Sequence, residues 1–382
     1  MIFRKKYFDF MKINILSPGR FHVCDLAREL ACNGHDVRFY SFVPTKRAMK
    51  FGLPKESSVS LFWAMSPFLA LSKKLFPKSQ WASKLTILFQ DWLTSVVMRK
   101  CDVCIAMSGS FVAAPRKAKK QGAIVIIERG SKHIMEQKRI LDSIPSNKGK
   151  VTVPYWHIPR EIEDYDIAGY VAVASQHVVR SMLKFGYPEE KLFINPYGVD
   201  LSMFYPDDKV KKEYDVIMVG GWSYRKGCDL IVDAIKQSNY SFLHVGSIVD
   251  MEFPQGDEKF THIDAVDQKQ LVNYYNQAKV FVLPSREEGL AMVQAQAIAC
   301  NLPLVGSKDS GAEDLKEIVE HSEFITIIEN FTPAALLKAI DLSIIKQKQL
   351  NGIQYAGNAA ERLTWKAYGD RYSEFINKIA KK

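Results

Sequence analysis

The sequence predicts an α/β protein built from two doubly wound, parallel-sheet domains, and three observations predict it. Short apolar strands alternate with longer amphipathic stretches along the whole chain, the pattern of βαβ units. Many of those strands run into Gly, Ser or Pro, the residues of tight strand-to-helix turns. At 382 residues the chain is too long for one ordinary core and suits two domains.

In the first half KINILS is a strand that runs into Pro18-Gly19, and HVCDLARELACNGHDV is a helix stopped by Gly34. DVRFYSF, DVCIAMSG and AIVIIERG are further strands, and YDIAGYVAVAS leads to a helix ending near Phe185. The second half restarts the pattern: YDVIMVGG, KGCDLIVDAIKQ, YSFLHVG, QLVNYYNQA, KVFVLPS, GLAMVQAQAIACN and LPLVGS alternate strand with helix. Asp200 to Lys212 is a polar connector without a core pattern. The domains are therefore expected at 1–198 and 199–357. Residues 358–382 form a terminal helix whose Trp365, Tyr368, Tyr372 and Phe375 suit packing back on the first domain.

Charge is unevenly shared. The chain carries a formal net charge of +10, and residues 1–200 alone hold 31 Lys and Arg against 17 Asp and Glu. Such asymmetry suits an anionic partner of the first domain, whether lipid, nucleic acid or a phosphorylated acceptor, or else a merely solvated basic surface. LSKKLFPKSQWASKLTILFQ and PRKAKKQG mix Lys with Leu, Phe and Trp, which favours an anionic membrane surface. The basic residues are scattered and no nucleic-acid motif is present, so nucleic acid is not expected.

The longest apolar run, Val59 to Leu71, is too short to span a bilayer and contains Pro67. No cleavable signal is evident, and Met11 opens a fresh strand, so the first ten residues read as an extension. Six cysteines in so long a chain make no disulfide framework, and reduced thiols are expected, consistent with cytoplasm. Cys101 and Cys104 form a lone CxxC without a second pair at zinc spacing. Three apart on a strand, they are expected to face opposite ways.

Three segments of the second half carry the chemistry. In VIMVGGWSYRKGCDL a strand ends in Gly220-Gly221, and a short loop delivers Arg225 and Lys226 before Gly227 opens a helix. Glycines there let backbone approach a ligand, and two cations beside a helix N-terminus suit a pyrophosphate, unless the loop is a plain basic turn. The glycine after Val245 in YSFLHVG, Gly246, ends the neighbouring strand in the same way. In KVFVLPSREEGLAMVQAQ a buried strand ends at Pro284-Ser285, and Glu288-Gly289 leads into a helix. Ligands of parallel sheets bind beyond the carboxyl ends of the strands, where Glu288 falls; helix capping is its alternative role. Leu290, Ala291 and Met292 would aim N–H groups at a phosphate, and Gln296, two turns on, either lines the same cleft or faces solvent. LVGSKDSGAEDL adds another small-residue loop at Gly306, Ser307 and Ser310-Gly311.

Together with NPYGVDLSMFYP, these segments resemble glycosyltransferase family 4 over most of the chain, most strongly from about Lys191 to Leu315. The resemblance implies a GT-B architecture, with two Rossmann-like domains facing each other across a cleft. It also implies retaining transfer of a sugar from a nucleotide-sugar donor to a glycan or lipid-linked acceptor. No metal or cofactor is implied, because Lys226, Arg225 and the helix-start N–H groups would stabilise the leaving phosphate. No enzymic base is implied, because that phosphate itself takes the acceptor's proton in a front-face reaction. The family's pattern is Glu, seven residues, Glu; here Glu288 is the first and Gln296 stands at the second. Lys226 matches the family lysine on the pyrophosphate. Gly221 stands where the family has Arg, and Arg225 is the replacement at hand.

Gly19, in Pro18-Gly19-Arg20, matches the family's first βα loop, which approaches the reaction centre from the acceptor side, and is expected among the donor-binding residues. His133 in ERGSKHI is similar to the family histidine that contacts the transferred sugar, unless it is a loop histidine without a role. His22 reads as a helix-face residue near the same loop. The expected catalytic set is Lys226, Arg225, Glu288 and His133, with a cytoplasmic, membrane-peripheral location. Asp164-Tyr165-Asp166 looks like a DxD metal site but precedes a helix-to-strand segment and is set aside. Gly19 and Gly34 make no dinucleotide fingerprint. Two alternatives remain: a degenerate binding protein that recruits an active partner, motivated by Gln296 and Gly221, and a nucleotide-sugar epimerase, for which no acid/base pair is found.

Overall fold

The computed structural model describes residues 9–75, 79–350 and 352–381. Most of the opening extension, and Phe76, Pro77 and Lys78 of the basic apolar stretch, lie outside the described residues. The first sheet comprises β1 (Lys12–Ser17), β2 (Asp36–Ser41), β3 (Ser58–Ser60), β4 (Val103–Met107), β5 (Ile124–Arg129), β6 (Tyr170–Val173) and β7 (Leu192–Ile194). Its order is β3-β2-β1-β4-β5-β6-β7, with every pairing parallel. The second sheet comprises β8 (Tyr214–Val219), β9 (Phe242–Val245), β10 (Phe260–Ile263), β11 (Ala278–Leu283), β12 (Leu304–Ser307) and β13 (Ile325–Ile328). It repeats the scheme as β10-β9-β8-β11-β12-β13, again wholly parallel. Strands such as β1, β4 and β11 are buried at nearly every position because helices cover both faces, which is why they read as continuous apolar runs.

In each sheet the strand order reverses about its first strand. Ligand crevices of doubly wound sheets open at that reversal, outside the carboxyl ends of the strands. In the second sheet the reversal lies between β8 and β11, so the Gly220–Gly227 loop and the Pro284–Ala291 loop flank one crevice.

The chain crosses between the domains twice, side by side. Val199 bridges Thr364, and the Val199 N–H donates to the Leu363 carbonyl at 2.6 Å. The connector differs from its expected polar character in one residue: Phe204 is buried and meets the Tyr275 ring at 5.9 Å. The terminal helical region is broken rather than continuous, with a 3₁₀ segment at Gly357–Leu363 and an α-helix at Trp365–Ala380. Thr364 separates them by capping, its hydroxyl accepting from the Ala367 N–H at 3.1 Å. The α-helix lies on the first domain: Phe375 stacks on Phe193 with centroids 3.9 Å apart, and Ser373 meets Asn33 at 3.0 Å.

Cys101 and Cys104 do not face apart. Cys101 sits in the turn before β4, not in the strand, so its thiol swings round to share a hydrogen bond with that of Cys104, both buried and free. Asp164 is fully buried and accepts from the Gly109 N–H at 2.6 Å, whereas Asp166 is exposed. These two carboxylates face opposite ways and cannot share an ion.

Candidate active site

The crevice of the second domain gathers Lys226, Arg225 and Glu288. Lys226 Nζ lies 2.8 Å from Glu288 Oε1, and an Arg225 guanidinium nitrogen lies 3.4 Å from the same oxygen. Two glycines make room for this. Gly227 has φ 74°, and a side chain there would put its Cβ 2.3 Å from the Pro284 carbonyl, so only glycine lets the two loops approach. Gly220 lies under the lysine, 3.6 Å from Nζ by the same construction. His244 fixes the loop from behind, its Nε2 donating to the Gly220 carbonyl at 2.8 Å; burial pulls its pKa down to about 4, so the ring is neutral. Burial pushes the Glu288 carboxyl up, but Lys226 and Arg225 outweigh it and hold the group below its ordinary value, as a carboxylate.

The remaining donor-side residues divide. Gly246 packs on the Gly220 carbonyl, and Val245 is buried in β9, so both support the loop from beneath. Gly221 faces Val249. Leu290 and Ala291 are buried, Met292 is 37% exposed, and the helix Met292–Ala299 starts beside Glu288. Of the three amides expected to face a phosphate, that of Ala291 already donates to the Ser310 carbonyl at 3.4 Å. Met292 and Val293 open the helix, where N–H groups have no intrahelical partner. Gln296 is buried, and its Oε1 accepts from the Tyr275 hydroxyl at 3.0 Å, so it faces neither solvent nor an open crevice. Arg225 is engaged as well, meeting the Glu287 carboxylate at 3.2 Å and its carbonyl at 3.0 Å.

In the first domain, Gly19 sits in the loop after β1, its carbonyl accepting from the Ser17 hydroxyl at 2.7 Å. His133 is not brought to the crevice. It caps the helix Ile134–Ser143, its Nδ1 accepting from the Met135 N–H at 3.3 Å, and its ring stacks on Phe185 at 4.5 Å. Burial and the nearby Arg129 pull its pKa down to about 4. His22 is buried instead against Glu128, at 3.0 Å, with its ring 4.2 Å from that of Tyr197.

The domains meet directly around the Glu288 loop. Ser131 bonds the Glu287 carboxylate, Lys132 pairs with Asp309 at 2.5 Å, and Arg180 with Glu313 at 2.9 Å. Ser175 donates to the Gly289 carbonyl at 2.8 Å, and His177 Nε2 to the Glu288 carbonyl at 2.9 Å. Sequence reasoning missed all of these. Ser131 and Ser175 carried a signal, each a small polar residue two positions beyond the carboxyl end of a strand, β5 and β6.

A family model of group 1 glycosyl transferases matches residues 204–360. The second half of this chain is thus similar to group 1 glycosyl transferases. The chain's fold is GT-B, and the crevice above lies within the matched residues. Among curated proteins, a probable sucrose-phosphate synthase of Thermosipho melanesiensis is 21% identical over 50% of this chain and 49% of its own length. A D-inositol 3-phosphate glycosyltransferase of Segniliparus rotundus is 26% identical over 47% of this chain and 45% of its own. The chain thus spans about half of these curated relatives. Among solved structures, HepE of Anabaena in complex with UDP and glucose covers 96% of this chain and 99% of its own at TM-score 0.65 and 14% identity. WaaG, a glycosyltransferase involved in lipopolysaccharide biosynthesis, covers 95% of this chain and 99% of its own at TM-score 0.63 and 14% identity.

Proposed function

We propose that this chain is a retaining, metal-independent glycosyltransferase that moves a sugar from a nucleotide-diphosphate sugar to a glycan or lipid-linked acceptor. The observation that carries the reading is the convergence of Lys226 and Arg225 on Glu288 at the strand reversal of the second sheet. Cleaving the bond from sugar C1 to the diphosphate oxygen builds negative charge on the leaving phosphate. Lys226, Arg225 and the first amides of the helix Met292–Ala299 supply the opposite charge there. Glu288 holds sugar hydroxyls and fixes the ring. The acceptor oxygen bonds to C1 on the face the phosphate leaves, and the phosphate takes the acceptor's proton. HepE was solved with UDP-glucose, which supports testing uridine donors first. A thermal-shift panel of UDP-, GDP- and ADP-sugars, followed by product analysis, tests the reading: a donor-specific shift with sugar transfer and retained anomeric configuration is expected. Inverted product, or no response to any donor, rejects it.

The engaged Gln296 and Arg225 favour one second reading, a catalytically degenerate binding protein that recruits an active partner. A donor-specific shift without transfer or donor hydrolysis is its signature.

We propose further that the acceptor is met at an anionic membrane surface, in a peripheral and cytoplasmic setting. No helix among the described residues is long and apolar enough to cross a membrane. Trp81, Leu85, Leu88, Trp92 and Val96 recur at helical spacing on the helix Gln80–Val97 and are all exposed, Trp81 by 72%. Exposed Trp63 precedes them, and the sequence holds no acid between Glu56 and Asp91. Asp91 caps the helix that follows β4, accepting from the Val112 and Ala113 N–H groups at 2.9 Å. Residues 80–90 therefore precede the point at which this helix is tied to the carboxyl end of β4. Sedimentation with vesicles containing anionic lipid is expected, and its loss in the Trp81→Ser/Trp92→Ser variant. Equal binding to neutral vesicles rejects this part.

A further inference from the structure

The loop that carries Glu288 is held by the other domain at three consecutive residues. The Glu287 carboxylate is fully buried and receives the Ser131 hydroxyl and, at 3.4 Å, the Gln137 amide. The Glu288 carbonyl receives His177 Nε2 at 2.9 Å, and the Gly289 carbonyl receives the Ser175 hydroxyl at 2.8 Å. At Gly289 the backbones touch: a Cβ there would lie 2.3 Å from the Gly130 carbonyl. Within its own domain the Glu288 N–H donates to the Asp309 carbonyl at 3.1 Å, and its carboxylate pairs with Lys226.

The protons are accounted for. A carbonyl only accepts, so His177 Nε2 carries hydrogen. Burial pulls the His177 pKa down to about 4, so the ring is neutral near pH 7 and Nδ1 is a bare acceptor. The single Ser175 hydroxyl hydrogen lies between that nitrogen, at 3.1 Å, and the Gly289 carbonyl. Both side chains are almost wholly buried, so water does not substitute for them. An unmet carbonyl there would cost about 1–3 kcal/mol, enough to set the loop's geometry.

We infer that Ser175 and His177 are positioning residues of the first domain that shape the donor loop of the second. They hold the Glu288 and Gly289 carbonyls so that the Glu288 carboxylate meets Lys226 in the closed molecule. Donor activation is thereby tied to domain closure, which limits loss of the sugar to water when the acceptor-bearing domain stands away. The inference rests on the donor-binding reading of Glu288, and its tests are separable from that reading.

Hydrogen exchange on the full chain, without ligand, needs no activity. Residues 284–292 are expected to be protected in the wild type. In His177→Leu they should exchange at least tenfold faster, while β1, β4, β8 and β11 keep their protection. His177→Gln, which places an amide donor near the former Nε2, is expected to restore most of the protection. Unchanged exchange in His177→Leu, or no rescue by Gln, overturns the inference.

With whichever of UDP-glucose, GDP-mannose and ADP-glucose the wild type turns over, His177→Leu is expected to lower kcat by tenfold or more, with donor KM changed less than threefold. In a Glu288→Gln background the same substitution should add less than twofold, because its effect runs through Glu288. Full additivity overturns the inference. A wild type inert toward every donor, yet showing the exchange result, would fail the proposed function alone.

Discussion

Replacing Lys226 by Met separates chemistry from folding. Methionine keeps an unbranched stem in place and removes the charge 2.8 Å from Glu288 Oε1. Both side chains of the pair are mostly buried, at 14% and 13% exposed. Stripping a buried carboxylate of its sole partner costs about 3–5 kcal/mol. Here Arg225 remains 3.4 Å from the same oxygen, so the expected loss of stability is smaller, about 1–2 kcal/mol. The Glu288 pKa moves upward as its largest opposing charge disappears. On the proposed mechanism the transition state should suffer more, because it loses a fixed charge beside the departing phosphate. Removing one such group typically costs about 3–4 kcal/mol, or about 10²–10³ in turnover. Denaturant titration gives the first quantity, and release of nucleoside diphosphate gives the second. Turnover within fivefold of wild type, or a stability loss matching the kinetic one, would refute the reasoning.

Three more outcomes are expected. Gly289→Ala drives a Cβ into the Gly130 carbonyl, backbone against backbone, so no rotamer relieves it; X-ray scattering should report a larger radius of gyration, with turnover down at least tenfold. Asp164 is held protonated by burial, with a pKa raised to about 8. A raised acid binds its proton more tightly folded than unfolded, so wild-type stability should fall as pH rises from about 4 through 8. Asp164→Asn keeps an acceptor for Gly109 and should flatten that slope in thermal melts from pH 4 to 9, most visibly between pH 4 and 8. Turnover should be unchanged in excess EDTA, and recovery only on adding Mg²⁺ or Mn²⁺ would reject the metal-free route.

The sheets were legible because parallel strands covered on both faces leave unbroken apolar runs, as in IVIIER and AKVFVL. Lys226 and Glu288 were legible because each lies just past a strand end, where local sequence already places a side chain over the crevice. His133 shows the limit. A histidine after a strand is equally a ligand contact or a helix cap, and the choice was made by Phe185, which arrives from a different helix. Gln296 was read by its helical turn toward the crevice, but Tyr275 from another helix bonds its oxygen. His177 left almost no trace, because its partner is a backbone carbonyl 111 residues away, and any residue would supply one. The Cys101–Cys104 contact was missed because the strand begins two residues later than its apolar run suggests.

The paired crossings at Val199 and Thr364 mean that the first domain is discontinuous in sequence. A fragment ending at Gly198 would bare Phe193 and Tyr170, which the final helix covers through Phe375. An expressible version of that domain would need residues 364–381 grafted on by a short linker. For the same reason, a bulky C-terminal fusion joins the molecule on the first domain, although it follows the second along the chain.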